Sequence, residues 1–404
     1  MLLRFAWRNV WRNKTRSGLI TGSVAVGLMS GIFLSGLYQG MMAGRRRDVI
    51  QRETSHLQLH HPLFRSDTEG GYSITGPDRI DSVIRRLIPG AQVSARMVVS
   101  AMIASSTGTS GVTAFGVVPE QEDKVTQLES WLTAGGFGDD RKIHSVIIGR
   151  KLAQKIGVHV GSKIILTFPD CDNTIVAGAF RVTGIYETRN STIDKTRVYV
   201  RFGDLEKLYG STDTCQEIAV LLPHDELMET TRIQLTGTFP KLHVETWKEL
   251  APEVAVMIET TDDYSIIFLT IVMLTLLFGI INTMLMAVLE RTREIGMLVA
   301  LGMSRRRIFQ LILLETVLLT FSGAPIGLFM VWALIRRWFE SGLDISGMAG
   351  STMSGYGFST MIYPEFPTSS LPQVLLIVSA TALLASVLPA VRSAGLQPAD
   401  ALRS

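Results

Sequence analysis

Four long apolar runs constrain this chain more than any other feature. The runs Gly18–Ala43, Ile266–Leu289 and Leu371–Val391 contain no Asp, Glu, Lys or Arg, and Ile308–Ile335 contains one charge, Glu315. Each run reaches the roughly 20 residues that a helix needs to cross the hydrocarbon core of a bilayer. Charged residues are 19% of the chain, below the about 25% of an ordinary soluble domain. The sequence therefore predicts an α-helical membrane protein with four transmembrane helices.

The distribution of Lys and Arg predicts the orientation of these helices. Basic residues precede the first run, fill the short loop 290–307 and follow the fourth run, which favours the cytoplasm for all three segments. Arg45–Arg47 and Arg336–Arg337 argue the other way, but the short loop decides because long segments translocate largely regardless of charge. A cleaved signal peptide is the alternative for the N-terminus, although the first run exceeds the roughly 7 to 15 apolar residues of such signals.

The runs divide the chain into segments of different composition. In order these are an amphipathic cytoplasmic helix (1–17), a first transmembrane helix (18–44), an α+β domain outside the membrane (45–264), a second transmembrane helix (265–289), a cytoplasmic loop (290–307), a third transmembrane helix (308–335), an outer loop (336–370), a fourth transmembrane helix (371–391) and a cytoplasmic tail (392–404).

Short strand and helix signals predict mixed structure in the inserted domain. Pro77–Leu87 begins at a proline and stops before Pro-Gly, as helices do, whereas His56–His60 alternates like a strand. The glycine-rich stretch 135–140 predicts the start of a subdomain at approximately 136–216. A last helix, Trp247–Thr260, is expected to run directly into the second transmembrane helix.

The short loop between the second and third runs has an amphipathic pattern. Ile295, Leu298 and Val299 recur at helical spacing and predict one apolar face. Charged residues lie along its rim, namely Glu290, Arg291, Arg293 and Glu294. We interpret this segment as a docking surface for a partner protein, and a plain interhelical turn is the alternative.

Few side chains have the pattern of a catalytic, nucleotide-binding or metal-binding site. The phosphate-binding pattern G-x-x-x-x-G-K-[ST] does not occur, so this chain is not expected to hydrolyse ATP. His56, His60 and His61 invite a metal site, but no Cys or carboxylate at ligand spacing accompanies them, and we predict no metal. Glu315 is either a functional acid or the partner of a nearby arginine, because an unpaired acid is costly in a membrane helix.

Cys171 and Cys215 are the only cysteines. Both fall in the inserted domain, where a disulfide is permitted if the domain lies outside the cytoplasm. A bridge and two unpaired thiols both agree with the sequence.

Several segments together resemble one family of membrane proteins. They are IINTMLMAVLERTREIGMLVALGMSRRRIFQLILLE around the short loop, LPAVRSAGLQPADALRS at the end, LRFAWRNVWRNKTRSGL at the beginning and GRKLAQKIGVHVGSKIIL in the inserted domain. The chain resembles the permeases of type VII ABC transporters, the MacB/FtsX superfamily, and most of all its lipoprotein-releasing LolC/LolE branch.

The resemblance implies an architecture and a set of partners. A second permease copy or paralogue and a cytoplasmic ABC ATPase dimer are expected, with ATP and Mg bound by the ATPase and no cofactor in this chain. The loop helix matches the family's coupling helix, and the location would be the bacterial inner membrane with a periplasmic inserted domain. Motion driven by ATP would be transmitted to that domain, which is called mechanotransmission.

The resemblance also implies a substrate class. We expect extraction of lipoproteins or another lipophilic substrate from the outer leaflet, with a periplasmic carrier or adaptor as a further candidate partner. Alternatives are a MacB-like exporter of peptides or drugs and an FtsX-like signalling permease that activates a periplasmic hydrolase. The hairpin 169–178 is shorter than the carrier-binding hook of LolC-like chains. Substrate would enter between the first and second transmembrane helices of paired protomers. The candidate substrate-contacting residues there are Val24, Leu28, Phe33, Phe268 and Met273.

Overall fold

The computed structural model describes residues 6–8, 12, 14–66, 72–137, 144–188, 190–366 and 371–395. The helices are α1 (Lys14–Asp48), α2 (Pro77–Leu87), α3 (Pro119–Thr126), α4 (Arg150–Ile156), α5 (Ser191–Thr196), α6 (Phe202–Tyr209), α7 (Met228–Thr238), α8 (Trp247–Leu250), α9 (Pro252–Glu259), α10 (Thr261–Glu290), α11 (Thr292–Ala300), α12 (Arg305–Phe339), α13 (Ser346–Gly355) and α14 (Leu371–Ala394). A π-helical turn, Val49–Thr54, follows α1, and short 3₁₀ turns occur at Leu128–Trp131 and Asp225–Leu227.

The strands belong mainly to one large sheet. They are β1 (Leu57–His60), β2 (Ile74–Thr75), β3 (Gln92–Ala104), β4 (Thr109–Val117), β5 (Leu132–Gly135), β6 (Ser145–Gly149), β7 (Lys163–Pro169), β8 (Ile175–Tyr186), β9 (Arg197–Arg201), β10 (Thr214–Cys215), β11 (Glu217–Leu221), β12 (His243–Thr246), β13 (Leu343–Asp344) and β14 (Met361–Ile362).

The chain divides into a membrane unit, within 1–42, 259–343 and 362–404, and an inserted unit, Ala43–Ile258 with Asp344–Met361. In the membrane unit, α1, α10, α12 and α14 are long and apolar enough to cross a bilayer, which confirms the four predicted spans. The predicted N-terminal helix (1–17) and tail (392–404) lie partly outside the described residues.

Small residues let the membrane helices approach closely. Gly27 and Gly31 of α1 face Leu276 and Leu269 of α10, and a methyl group at Gly27 would overlap the Leu276 side chain. Helix packing in membranes favours such small residues four apart, because dispersion contacts between backbones replace the hydrophobic effect. The first helix therefore contacts the second through one glycine-bearing face.

Six strands of the inserted unit close into a ring. β3 pairs with β4, β4 with β9, β9 with β6, β6 with β8, β8 with β7, and β7 returns to β3. The ring encloses an apolar cluster that includes Leu166, Phe180 and Val200. A closed ring leaves no unpaired edge among its members, which removes the usual liability of exposed strands.

The start of β3 leaves the ring and joins an open sheet in the order β12-β1-β11-β3. The predicted subdomain at 136–216 is therefore wrong in its boundary, because β3 and β4, which precede residue 136, form part of the same ring as β6 to β9. The glycine-rich stretch that predicted the boundary is a local signal, whereas the pairing of β3 with β7 and of β4 with β9 joins segments that are distant in sequence.

The predicted continuous helix from Trp247 to the second span is also wrong. It is divided into α8, α9 and α10, with Ala251 in a non-helical conformation before Pro252 and a second interruption at Thr260. Proline disfavours helical backbone at the residue before it, which explains the first interruption.

The outer loop 336–370 has more structure than expected. Within its described residues, β13 and β14 form a two-stranded sheet, and α13 lies between these strands in sequence. The β7–β8 hairpin, by contrast, is as short as the sequence indicated. Its turn is closed by Asp170, whose carboxylate accepts hydrogen bonds from the amides of Asp172 and Thr174 at 2.9 and 2.8 Å.

Candidate functional site

The short helix α11 joins two membrane helices and is sharply delimited at its C-terminal end. The Gly302 amide donates to the Val299 carbonyl, and the Met303 amide donates to the Leu298 carbonyl, both at 3.0 Å. Gly302 has a φ of +95°, a conformation that glycine adopts without strain. This double hydrogen bond with a left-handed glycine ends the helix and turns the chain into α12.

The structure places the predicted apolar face of α11 partly against its own chain, whereas the sequence predicted that it faces a partner. Ile295 is 6% exposed and belongs to the core of the membrane unit. Leu298 and Val299 are half-buried. The prediction of a partner-facing surface is therefore corrected for Ile295, which packs on its own chain, and it stays a prediction for Leu298 and Val299.

A second face of α11 remains available to a partner. Met297 is 53% exposed and Leu301 is 84% exposed. Glu290 and Arg293, two of the predicted rim residues, are also exposed. Residues 293, 297 and 301 are spaced four apart along α11 and its C-terminal end, so one charged and two large apolar side chains share one exposed face, and Glu290 lies just before this helix at the end of α10. Sequence reasoning missed Met297 and Leu301 because it assigned the whole apolar pattern to one face.

Ion pairs attach α11 to the neighbouring helices. The Arg291 Nη1 atom lies 3.3 Å from Glu315 Oε1, and Arg291 Nε lies 3.6 Å from Glu294 Oε2. Arg12 also forms an ion pair with Glu294. Glu315 is 1% exposed, so of its two interpretations the paired acid is the one observed.

A cavity of 410 Å³ lies beneath these ion pairs. Its wall combines apolar side chains of α10, α11 and α12 with the charged groups of Arg12, Arg291, Glu294 and Glu315. The cavity is open to solvent, because Met297 and Leu301 on its wall are 53% and 84% exposed. The base of α11 is therefore held by charged contacts beside open space.

The candidate substrate residues do not form one accessible surface. Val24, Leu28 and Met273 are at most 3% exposed, whereas Phe33 is half-buried and Phe268 is 43% exposed. Within one chain the three buried residues fill the helix core, and their contact with substrate between paired protomers stays a prediction.

The reason lies in the packing of α1 on α12. A methyl group at Gly323 would lie 2.9 Å from the Val24 Cβ, and one at Gly327 would lie 3.0 Å from the Leu28 Cβ. Thr21 and Ser322 share a hydroxyl contact of 3.1 Å beside them. Gly323 and Gly327, four residues apart on α12, thus contact Val24 and Leu28 of α1.

The two cysteines are free thiols. Cys215 belongs to the cluster under the open sheet, whereas Cys171 packs against the cluster inside the ring. Burial raises the pKa of the Cys215 thiol, which makes it unreactive. Of the two alternatives left by the sequence, the structure has the unbridged one.

The three neighbouring histidines have separate environments. His56 Nε2 lies 2.8 Å from Asp225 Oδ1, and His61 stacks on Tyr72 with ring centroids 4.9 Å apart. His60 instead meets two residues that the sequence interpretation did not consider, His243 and Glu245. The register of β1 and β12 brings them together, and no local motif indicates it.

Comparisons with known proteins cover most of the chain. The MacB-like periplasmic core domain matches residues 17–238, and the FtsX-like permease C-terminal domain matches residues 266–398. The first match alone spans more than half of the chain.

Individual relatives agree with these matches. The lipoprotein-releasing system transmembrane protein LolC of Xylella fastidiosa is 26% identical over 71% of this chain and 72% of its own length. LolC of Neisseria meningitidis serogroup B is 22% identical over 75% of each chain. The crystal structure of the periplasmic region of MacB from Actinobacillus actinomycetemcomitans matches 52% of this chain and 95% of its own at 12% identity, with a TM-score of 0.36. From the two family matches, this multi-pass membrane protein belongs to the MacB/FtsX superfamily of ABC transporter permeases.

Proposed function

We propose that this chain is the permease subunit of an ATP-driven mechanotransmission transporter that extracts lipoproteins or another lipophilic substrate from the outer leaflet of the bacterial inner membrane. A separate cytoplasmic ATPase dimer binds ATP and Mg, and the permease acts as a dimer with a second copy or a paralogue. Both termini and α11 lie in the cytoplasm, and the inserted unit lies in the periplasm. The basic residues around the short loops support this orientation.

The two-faced character of α11 is the observation that carries the proposal. One face, at Ile295, is buried in the membrane unit, and the other presents Met297 and Leu301 to solvent. Exposed large apolar side chains among charged residues mark interaction surfaces in proteins. A helix with one face anchored and the other exposed is suited to receive force from the ATPase.

The contacts of α11 indicate how that force reaches the spans. Ile295 is embedded among α10 and α12 residues, and the Arg291–Glu315 ion pair ties the beginning of α11 to α12. Val24 and Leu28 against Gly323 and Gly327 then link α12 to α1. A displacement of α11 would therefore move three of the four spans together, because packed helices transmit strain.

Two observations support a lipophilic substrate. Two relatives, matched over 72% and 75% of their own length, are named as lipoprotein-releasing system proteins. In this chain, Phe268, Ile271 and Phe278 of α10 are 43%, 56% and 69% exposed. This stripe is an apolar surface on the second span that a lipid-anchored substrate can share with the bilayer.

The test is purification of the full chain from its native host into nanodiscs, followed by mass spectrometry of bound proteins. We expect an ABC ATPase together with acylated proteins, and release of the acylated proteins on addition of ATP and Mg. An ATPase with an adaptor or a hydrolase instead would favour an exporter or a signalling permease. Absence of an ATPase would contradict the proposal.

Two variants connect this test to α11. Met297→Glu places a charge on the exposed face and should remove the ATPase from the purified complex. Met348→Glu is the matched control, because Met348 is 93% exposed and lies in the outer loop 336–370. Equal ATPase recovery from both variants would show that α11 is not the docking helix.

A further inference from the structure

The register of the open sheet places two histidines and a glutamate on one face. His60 of β1 is the direct cross-strand partner of His243 of β12, and their ring centroids are 5.8 Å apart. Glu245 lies two residues beyond His243, and side chains two apart on a strand point to the same face. The three side chains therefore converge beside the edge strand β12.

Their polar atoms are arranged as a ligand set. His60 Nε2 lies 2.7 Å from Glu245 Oε2, and His243 Nδ1 lies 3.9 Å from the same oxygen. One donor atom from each of the three residues lies within 4.8 Å of the others. Metal bonds to His nitrogen and carboxylate oxygen are about 2.0–2.2 Å long, so a tetrahedral ion holds its ligand atoms about 3.3 Å apart. His60 Nε2 and Glu245 Oε2 would therefore separate by several tenths of an ångström on binding an ion, and His243 Nδ1 would move closer to Glu245.

Two of these atoms lack satisfied hydrogen bonds. His60 and Glu245 are 2% and 8% exposed, yet neither His60 Nε2 nor Glu245 Oε2 has a hydrogen-bond partner of acceptable geometry among the described residues. Buried polar atoms are normally paired, and an exception calls for an explanation such as a bound ion. A cation bound to both atoms, after they separate slightly, would satisfy both at once.

The second oxygen of Glu245 is already held by another residue. Arg65 Nη1 donates to Glu245 Oε1 at 2.9 Å, which leaves Oε2 directed at the two imidazoles. Metal-binding carboxylates are commonly fixed by such an outer hydrogen bond.

We propose that His60, His243 and Glu245 form a binding site for a divalent transition-metal ion, with Zn²⁺ as the ion it takes. Two imidazoles and one carboxylate suit zinc, whereas Ca²⁺ and Mg²⁺ prefer sites made of oxygen atoms. Three protein ligands leave one tetrahedral position for water. The His243 side chain is 56% exposed, so the ion enters from solvent and the fourth position faces outward.

The site would join two strands that are distant in sequence. β12 is the edge strand of the open sheet and has β1 as its partner, and the ligands lie on both strands. An ion that binds the folded protein and not the unfolded chain raises its stability in proportion to the logarithm of free ion concentration. Zinc would thus fasten the edge of the inserted unit.

The experiment uses the full chain in detergent with an affinity tag that contains no histidine. Equilibrium dialysis against ZnCl₂ measures stoichiometry and affinity, and visible absorption with CoCl₂ reports tetrahedral coordination. We expect one ion per chain. His243→Ala removes a ligand at an exposed position and should weaken Zn²⁺ binding more than the roughly 10–100-fold that loss of an outer partner alone costs.

His224→Ala is the matched control, because His224 is exposed and outside the cluster. It should bind Zn²⁺ as the wild type does. Arg65→Met should retain tetrahedral Co²⁺ absorption with roughly 10–100-fold weaker binding. The proposal is overturned if the wild type takes up no Zn²⁺ at micromolar free ion, or if His243→Ala binds as tightly as His224→Ala.

Discussion

The inserted unit and the membrane unit each bury an arginine–glutamate contact, and the two contacts differ in tightness. In the inserted unit, Arg96 donates to Glu122 through two bonds of 2.9 Å and to Glu217 through one of 2.7 Å, with all three residues buried. In the membrane unit, Arg291 Nη1 lies 3.3 Å from Glu315 Oε1 beside a cavity.

This difference indicates that the Arg96 contacts stabilise the fold, whereas the Arg291–Glu315 contact can rearrange. A fully paired buried arginine cannot be disturbed without leaving charges in a medium of low polarity. A longer ion pair beside open space costs less to break and reform. We infer that the Arg96 cluster holds β3, β11 and α3 in place, whereas the Arg291–Glu315 pair lies at the joint on which the ATPase acts.

The largest expected effect comes from removing the centre of the tight cluster. Arg96→Met leaves Glu122 and Glu217 buried without their cation and should destabilise the inserted unit by about 3–5 kcal/mol. The apparent Tm of the full chain, followed by tryptophan fluorescence, should fall by about 10 °C. Arg150→Met is the control, because the Arg150–Glu187 pair is 53% and 41% exposed and should cost at most about 1 kcal/mol. Equal losses would show that the Arg96 cluster has no special role.

The next largest effect on stability is expected where α1 packs closely against the backbone at Tyr363 in the membrane unit. A methyl group at Gly40 would overlap the Tyr363 carbonyl oxygen, a backbone atom that cannot rotate away, whereas one at Gly22 has nothing within 4 Å. Gly40→Ala should therefore cost about 1–3 kcal/mol, and Gly22→Ala should be neutral or slightly stabilising because alanine favours helix. Thermal unfolding in detergent compares the two variants. A Gly22→Ala loss as large as that of Gly40→Ala would contradict this packing.

A smaller effect on stability is expected at the Arg291–Glu315 pair. Glu315→Gln keeps the shape of the side chain and removes its charge. It should cost less than Arg96→Met, because Arg291, whose side chain is 13% exposed, retains Glu294 nearby. Its ATP-dependent release of acylated protein in nanodiscs should fall sharply, since α11 loses its tie to α12. Two results would contradict the difference drawn between the two contacts. One is a loss of stability in Glu315→Gln as large as that in Arg96→Met, and the other is unchanged release of acylated protein.

The smallest effect is a pH dependence within the inserted unit. Burial raises the pKa of Asp194 to about 6, against the opposing hydrogen bonds from Thr188. The folded protein therefore binds this proton more tightly than the unfolded chain, so Asp194 makes stability fall as pH rises from about 4 to 6. Comparing urea unfolding of wild type and Asp194→Asn across this range isolates the contribution, since asparagine cannot titrate. Parallel profiles for the two proteins would contradict the assignment.

Local signals in the sequence located most of the helices. The four spans follow from uncharged runs, and α2 follows from the proline at its start and the Pro-Gly after its end. These features act over a few residues and depend little on the rest of the fold.

Features that depend on distant contacts could not be predicted. The ring closes because β7 returns to β3, and the histidine–glutamate cluster exists because β12 pairs with β1. Similarly, the sequence predicted an apolar face on α11 but not that Ile295 would be buried and Leu301 exposed. Orientation of a helix is decided by packing, which a single sequence pattern does not contain.

The central claim is that the exposed face of α11 receives the ATPase, and site-specific photo-crosslinking in native membranes tests it most directly. A crosslinking amino acid at Leu301, which is 84% exposed, should capture an ABC ATPase, and the same amino acid at Met348 should not. Capture of the ATPase from Met348, or its absence from Leu301 in a strain that contains the assembled transporter, would contradict the account.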